Sequence, residues 1–328
     1  MPDNPPRNQK LFFREAIGRA VREEMRQNER VILLGQDVGA MGGSYKEFVG
    51  LIDEFGPARV RNTPVAENAM IGLGVGAAAA GMRPLVSVTY MDFLMLGLDP
   101  LVNYAAKLKF KTGGQLSAPL TVKTTAGAKG QGVAHSQCLE SWLMGVPGLK
   151  VVAPSTPADA YGLMKSALRH DGPVVFVDHK RLFPRAGDVP STEEFISFGK
   201  AAVLRSGTDV AIVTHSYMTR IAAEAAERLA EQGISAEIID LRSLAPLDME
   251  TLCASAARTK AVVTLEEGQI MCGVGAEAGY RIMERLGPLK LSRVGALPAP
   301  VSSNPVLEAA VLPDAERVVQ SVVRLLNA

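Results

Sequence analysis

The sequence predicts an α/β protein made of two three-layer α/β domains, and three observations carry that prediction. Short continuous apolar runs alternate with amphipathic stretches along the chain. A length of 328 residues suits about two domains of roughly 150 residues each. The alternation lapses once, between Arg181 and Lys200, where Pro184, Gly187, Pro190, Ser191 and Gly199 give the composition of a surface linker. The expected division is therefore a first domain over 1–185, a linker over 186–200 and a second domain over 201–328.

Taken in order, residues 11–27 place Phe12, Phe13, Ala16, Ile17, Ala20, Val21 and Met25 at three- and four-residue spacings, which predicts an amphipathic helix. Val31-Ile32-Leu33-Leu34-Gly35 then reads as a buried strand, as do Pro84 to Tyr90, Pro119 to Thr125, Leu149 to Ala153 and Pro173 to Val177. Helices separate them; in the clearest, Thr156 is the N-cap, Pro157 opens the first turn and Asp159 faces the positive end. Such β-α-β-α order predicts a mostly parallel sheet covered on both faces. After the linker come a strand Asp209 to Thr214, a helix Thr219 to Glu231, a strand Ala236 to Leu241, a helix Asp248 to Ala257, a strand Ala261 to Glu266 and a helix after Gly275.

Composition removes several function classes. Lys+Arg 35 against Asp+Glu 34 leaves a net charge of +1, so neither nucleic acid nor an anionic membrane is an expected partner. Hydrophobic residues at 47% and charged residues at 21% exclude intrinsic disorder. Cys138, Cys253 and Cys272 are too scattered for a disulfide framework, which points to a reducing cytoplasm. No apolar run follows a basic start at Met1-Pro2-Asp3-Asn4-Pro5-Pro6-Arg7, so the mature chain is expected to begin there. The longest uncharged apolar run, between Glu67 and Arg83, falls short of the ~18 residues a membrane span needs, and a soluble protein is expected.

Gly72-Leu73-Gly74-Val75-Gly76 and Gly273-Val274-Gly275 lack the strand-loop-helix setting of a dinucleotide fingerprint. The first lies within a predicted helix, where Gly72, Gly76 and Ala80 are expected to let another backbone approach closely. Neither a G-x-x-x-x-G-K-[ST] loop nor a G-x-S-x-G elbow occurs, which disfavours a P-loop ATPase and a serine hydrolase. Of four histidines, His135 stands out because it follows the glycine-rich stretch Gly127 to Ala134 directly after a buried strand, where α/β sheets place their sites. His135 and Cys138 make only two metal ligands, which is too few for a centre. Glu67 opens a helix, and read alone it is either a carboxylate stabilising that N-terminus by about 0.3–1 kcal/mol or a working acid.

Thr63-Pro64-Val65-Ala66-Glu67, Tyr90-Met91-Asp92-Phe93, His135-Ser136-Gln137, Pro147 to Pro157 and Asp240 to Asp248 together resemble the β subunit of thiamine-diphosphate-dependent 2-oxo acid dehydrogenases, their E1 components. These motifs occur in the family's order, and the resemblance runs from about Lys10 to the C-terminus. It implies an N-terminal domain that binds the cofactor's pyrimidine and a C-terminal domain of transketolase type. It further implies that Glu67 hydrogen-bonds N1′ of the aminopyrimidine and so promotes removal of the proton from the thiazolium C2. A shielded carboxylate can hold and pass on a proton, whereas glutamine would keep the hydrogen bond and lose the relay. Tyr90 would pack its ring against the pyrimidine, although an ordinary strand-end aromatic would look the same. His135 would lie in the substrate channel, where an imidazole can donate and accept protons in successive steps.

No Gly-Asp-Gly segment followed by Asn is present to hold magnesium and the diphosphate. The resemblance therefore implies a separate α subunit in an α2β2 assembly, with magnesium held mainly by that subunit, and a lipoyl domain of an acyltransferase core as acyl acceptor. A potassium ion on the backbone carbonyls of Leu120, Ala167 and Leu168 is a further expectation, but His170 replaces an acidic residue of the family segment. Asp99-Pro100 stands where Asp-Gln is common, and Lys129 and Gln131 modify the glycine-rich loop. The expected reaction is decarboxylation of pyruvate or a branched-chain 2-oxo acid with acyl transfer to lipoamide. The motifs do not separate it from thiamine-dependent acetoin cleavage. A non-catalytic assembly subunit is a reading of a different class, against which the presence of Glu67 and His135 argues; a nicotinamide-dependent dehydrogenase ranks lowest.

Overall fold

The computed structural model describes residues 8–327 as two compact units. The expected start of the mature chain at Met1 lies outside the described residues. The first unit comprises residues 8–126 and 143–198, the second 127–142 and 199–327.

In the first unit six parallel strands run in the spatial order Lys150–Val152, Val174–His179, Thr121–Ala126, Arg83–Val88, Val31–Gly35 and Val60–Asn62. Every residue of Val31–Gly35, Thr121–Ala126 and Val174–His179 is buried, which is why Val31–Gly35 and residues 174–177 read as apolar runs, whereas Thr121–Ala126 also buries Thr121, Lys123, Thr124 and Thr125. The helix Phe13–Gln27 buries Phe13, Ala16, Ile17, Ala20, Val21 and Met25 and packs on the helix Pro157–Arg169. Thr156 caps the latter as expected: its Oγ1 accepts from the Asp159 amide at 3.1 Å and Asp159 accepts from the Thr156 amide at 3.2 Å.

Two expectations need correction here. Residues 186–200 are not simply a linker, because Ala186–Val189 pairs antiparallel with Gln9–Phe12, from Phe12↔Ala186 to Gln9↔Val189. The close approach along the helix Glu67–Ala79 occurs at Gly74, where an added Cβ would lie 2.7 Å from Val86 and 2.9 Å from Leu120. Cβ atoms at Gly72 and Gly76 would meet nothing among the described residues.

The second unit carries a five-stranded sheet in the order Lys290–Ala296, Ala261–Gln269, Val210–Thr214, Ala236–Asp240 and Ala202–Arg205, all parallel except the last. The helix Met218–Glu231 covers one face through Ala222, Ala225, Ala226 and Leu229, joined by Val318, Val319 and Val322 of the helix Ala315–Asn327. Sixteen residues inserted between the two segments of the first unit, 127–142, group with this second unit and carry His135. Among the described residues no helix is long and apolar enough to cross a membrane.

Candidate active site

Glu67 is the first residue of the helix Glu67–Ala79 and is 7% exposed. No group among the described residues hydrogen-bonds or ion-pairs with its carboxylate. The acceptor capacity of this carboxylate is thus left unused among the described residues. Tyr90 caps the short helix Met91–Leu94 directly after the strand Arg83–Val88. Its ring meets Tyr45 edge-on at 6.4 Å and Phe93 edge-on at 5.8 Å, and the ammonium of buried Lys180 sits 5.1 Å from its centre. Tyr90 is thus a fixed platform rather than a loose strand-end aromatic.

Behind Tyr45, which stacks on Phe183 at 4.5 Å, lies a charged cluster. Lys123 Nζ is 2.5 Å from Glu47 Oε1 and 3.0 Å from Asp178 Oδ2, and all three side chains are at most 2% exposed. Burial pushes the Asp178 carboxyl up to about 6; Lys123 pulls it back down and Glu47 adds to the rise. For Lys123 burial works against the charge, yet Asp178 and Glu47 outweigh it and hold the ammonium above its ordinary value. Burial, reinforced by Tyr90, likewise raises the Tyr45 hydroxyl, which stays protonated.

His135, in the second unit, is half-buried and its amide donates to Gly132 O at 3.2 Å. A cavity of about 430 Å³ lies beside it, lined among others by Val133, Ser136, Cys138, Glu267 and Gln269. Ser136 Oγ is buried without a hydrogen-bond partner among the described residues. Glu140, at the end of the same loop, is pushed up to about 8 by burial first; its own amide counteracts this and Glu267 and Glu266 add to it.

The carbonyls of Leu120, Ala167 and Leu168, expected to face potassium, each already accept a hydrogen bond within the chain. Leu120 O accepts from Val174 N at 2.8 Å, Ala167 O from His170 N at 3.2 Å and Leu168 O from Arg83 Nε at 2.8 Å. The Arg83 guanidinium also donates to His170 O at 2.7 Å and Asp171 at 3.1 Å, so a fixed cation already occupies this corner. No potassium ion is assigned to this chain.

Residues 9–185 match the family model of the transketolase pyrimidine-binding domain, and residues 199–318 that of the transketolase C-terminal domain. The chain is 39% identical to the pyruvate dehydrogenase E1 component subunit beta of Rickettsia conorii, over 95% of this chain and 97% of that one. It is 41% identical to the 2-oxoisovalerate dehydrogenase subunit beta of Bacillus subtilis, over 81% and 83% respectively. This chain belongs to the family of 2-oxo acid dehydrogenase E1 β subunits. Its two-domain transketolase-like fold is shared with a solved split-gene transketolase, described as an inactive β4 tetramer, at a TM-score of 0.81 and 26% identity, covering 97% of this chain and 99% of that one.

The cofactor that the family implies is thiamine diphosphate, and the first unit fits its pyrimidine half. Glu67 offers a shielded carboxylate that nothing among the described residues uses, and Tyr90 offers a braced aromatic face. The sequence marks both, together with His135, but not the Lys123–Glu47–Asp178 cluster. A lone lysine in the buried run Thr121 to Ala126 was the available signal, and its partners are remote in sequence.

Proposed function

We propose that this E1 β subunit works with an α subunit to decarboxylate a 2-oxo acid, pyruvate or a branched-chain homologue, and to hand the acyl group to a lipoyl group. The shielded, unpartnered carboxylate of Glu67 carries the reading. A subunit with only an assembly role would have no use for it. The names of the relatives, which act on pyruvate and 2-oxoisovalerate, support 2-oxo acids over acetoin.

Bound thiamine diphosphate supplies a carbon nucleophile for the substrate carbonyl. Glu67 holds and shares the proton at the aminopyrimidine N1′, Tyr90 orients that ring, and His135 donates and accepts protons on the substrate side. The diphosphate and magnesium fall to the α subunit, since this chain has no Gly-Asp-Gly segment followed by Asn. Leu73, Leu96, Tyr104 and Phe110, large apolar side chains exposed on the first unit, support a partner subunit there. The lipoyl domain of an acyltransferase is the second partner, and three cysteines that form no disulfide among the described residues suit a cytoplasmic location.

The test is ferricyanide reduction by the chain co-expressed with its α subunit, with thiamine diphosphate and magnesium, across pyruvate, branched-chain 2-oxo acids and acetoin. The pair should turn over a 2-oxo acid, the β subunit alone should not, and Glu67→Gln should abolish turnover while leaving assembly intact. Turnover of acetoin alone, or full activity in Glu67→Gln, would overturn the reading.

A further inference from the structure

The stretch leading to His135 is glycine-rich, and Gly127, Gly130 and Gly132 all adopt the left-handed region at φ 90°, 73° and 79°. Ordering such a segment loses more conformational freedom than ordering any other, so something must hold it. Exposed Lys129 and Val133 give it no buried anchor. The main chain is held instead. The Ala128 amide donates to Glu267 Oε1 at 2.7 Å and the Gly130 amide to Glu308 Oε2 at 2.6 Å, two charge-assisted bonds at alternate residues. The Ala128 methyl is fully buried among Val301 and Leu312, and a Cβ at Gly132 would lie 3.5 Å from Ser303.

Glu308 is unusual in its setting. It projects from the short helix Pro305–Val311, where Val306 and Leu307 are 73% and 57% exposed, yet Glu308 itself is 6% exposed. That helix is fixed by Asn304, whose Oδ1 accepts from Val306 N at 3.0 Å and Leu307 N at 3.3 Å. A carboxylate turned inward from an exposed helix onto a glycine amide has no packing function that an apolar residue would not serve better.

We infer that Glu308, assisted by Glu267, is a positioning residue that fixes the main chain five and seven residues ahead of His135 and thereby sets the imidazole in place. The inference rests on the proposed role of His135, and a misplacement of about 1 Å in such a group can cost on the order of 100-fold in rate. The experiment compares Glu308→Ala, Glu308→Gln, His135→Ala and the Glu308→Ala/His135→Ala pair, each assembled with the α subunit and loaded with thiamine diphosphate. In Glu308→Ala, kcat should fall roughly 10- to 100-fold with KM and cofactor affinity little changed. Glu308→Gln keeps an acceptor for the Gly130 amide and should recover most of the loss. In the His135→Ala background Glu308→Ala should add nothing, because both act through one group.

Full activity in Glu308→Ala alongside a slow His135→Ala would overturn the inference and leave the role of His135 standing. An unaffected His135→Ala would instead remove the reading on which the inference rests. Additive losses would show that Glu308 acts elsewhere, which also overturns it. Should Glu308→Ala fail to assemble, amide exchange in the unaltered complex and in Glu308→Gln decides: Gly130 must be protected in the first and faster in the second, and an unprotected Gly130 in the unaltered complex refutes the strap.

Discussion

The two units hold several of their buried acidic side chains in different ways. In the first, lysines do the holding: Lys123 pairs with Glu47 and Asp178, and Lys165, whose side chain is fully buried, meets Glu23 at 2.9 Å, Glu24 at 3.2 Å and Glu193 at 2.8 Å. In the second, amides hold three of them: Glu266 accepts from Val274 N at 2.8 Å and Gly275 N at 2.9 Å, and Glu267 and Glu308 accept from the loop amides of Ala128 and Gly130, while Glu237 meets the Ser255 hydroxyl and the Arg258 guanidinium. A lysine neutralises charge and fixes a core; an amide compensates less charge but can grip a segment whatever its side chains are. Against this background Glu67 differs from these acids: among the described residues its carboxylate has neither kind of partner.

Removing the lysine from the first kind of cluster should have the largest effect. Lys123→Met leaves two buried carboxylates facing each other and should cost about 3–5 kcal/mol, read as a lower urea midpoint for the first unit. The loss should shrink sharply when Glu47→Gln and Asp178→Asn are present as well. A loss below about 1 kcal/mol would mean that lysine pairing is not what holds these acids.

The amide-held unit should reveal itself through pH. Glu140 ordinarily titrates near 4.5 and is raised to about 8 in the folded chain, so the native state binds a proton that the unfolded state has released between those values. Its contribution is present in full below about 4.5 and is lost as pH rises through about 8. Glu140→Gln should remove this dependence and be the more stable protein at pH 9, by a few kcal/mol. Identical pH profiles for the two proteins would show that the cluster of Glu140, Glu266 and Glu267 is better compensated than its burial implies.

The smallest effect probes one amide-held acid by itself. Asp248 caps the helix Met249–Thr259 by accepting from Thr251 N at 3.1 Å, and also accepts from Ala201 N at 2.9 Å. Asp248→Ala should cost about 1 kcal/mol, seen as a modest drop in thermal midpoint. No change would separate this cap from the loop straps.

Much of the fold was legible because its signals are local. The buried strands Val31–Gly35, Thr121–Ala126 and Val210–Thr214, and the Thr156 cap, each declare themselves within a few residues. What escaped depends on distant partners. Ala186–Val189 reads as linker because its strand partner lies at the other end of the unit, and Lys290–Ala296, an edge strand with Lys290, Ser292 and Arg293 in its open half, never shows an apolar run. The grouping of 127–142 with the second unit has no local signal at all, since Glu267 and Glu308 lie far along the chain. At the candidate site, Glu67, Tyr90 and His135 were visible as motif residues, while the groups that brace them were not. A motif records what meets the cofactor or substrate; the supporting groups are chosen by the fold.

Arg83 ties two elements of the first unit together. Its guanidinium joins the start of one strand to the carbonyls of Leu168 and His170 at the close of the helix Pro157–Arg169. A counter-ion that is part of the polypeptide cannot be dialysed away, exchanged for sodium or outcompeted by ammonium. The first unit should therefore keep the same melting temperature in potassium, sodium or choline buffers of equal ionic strength.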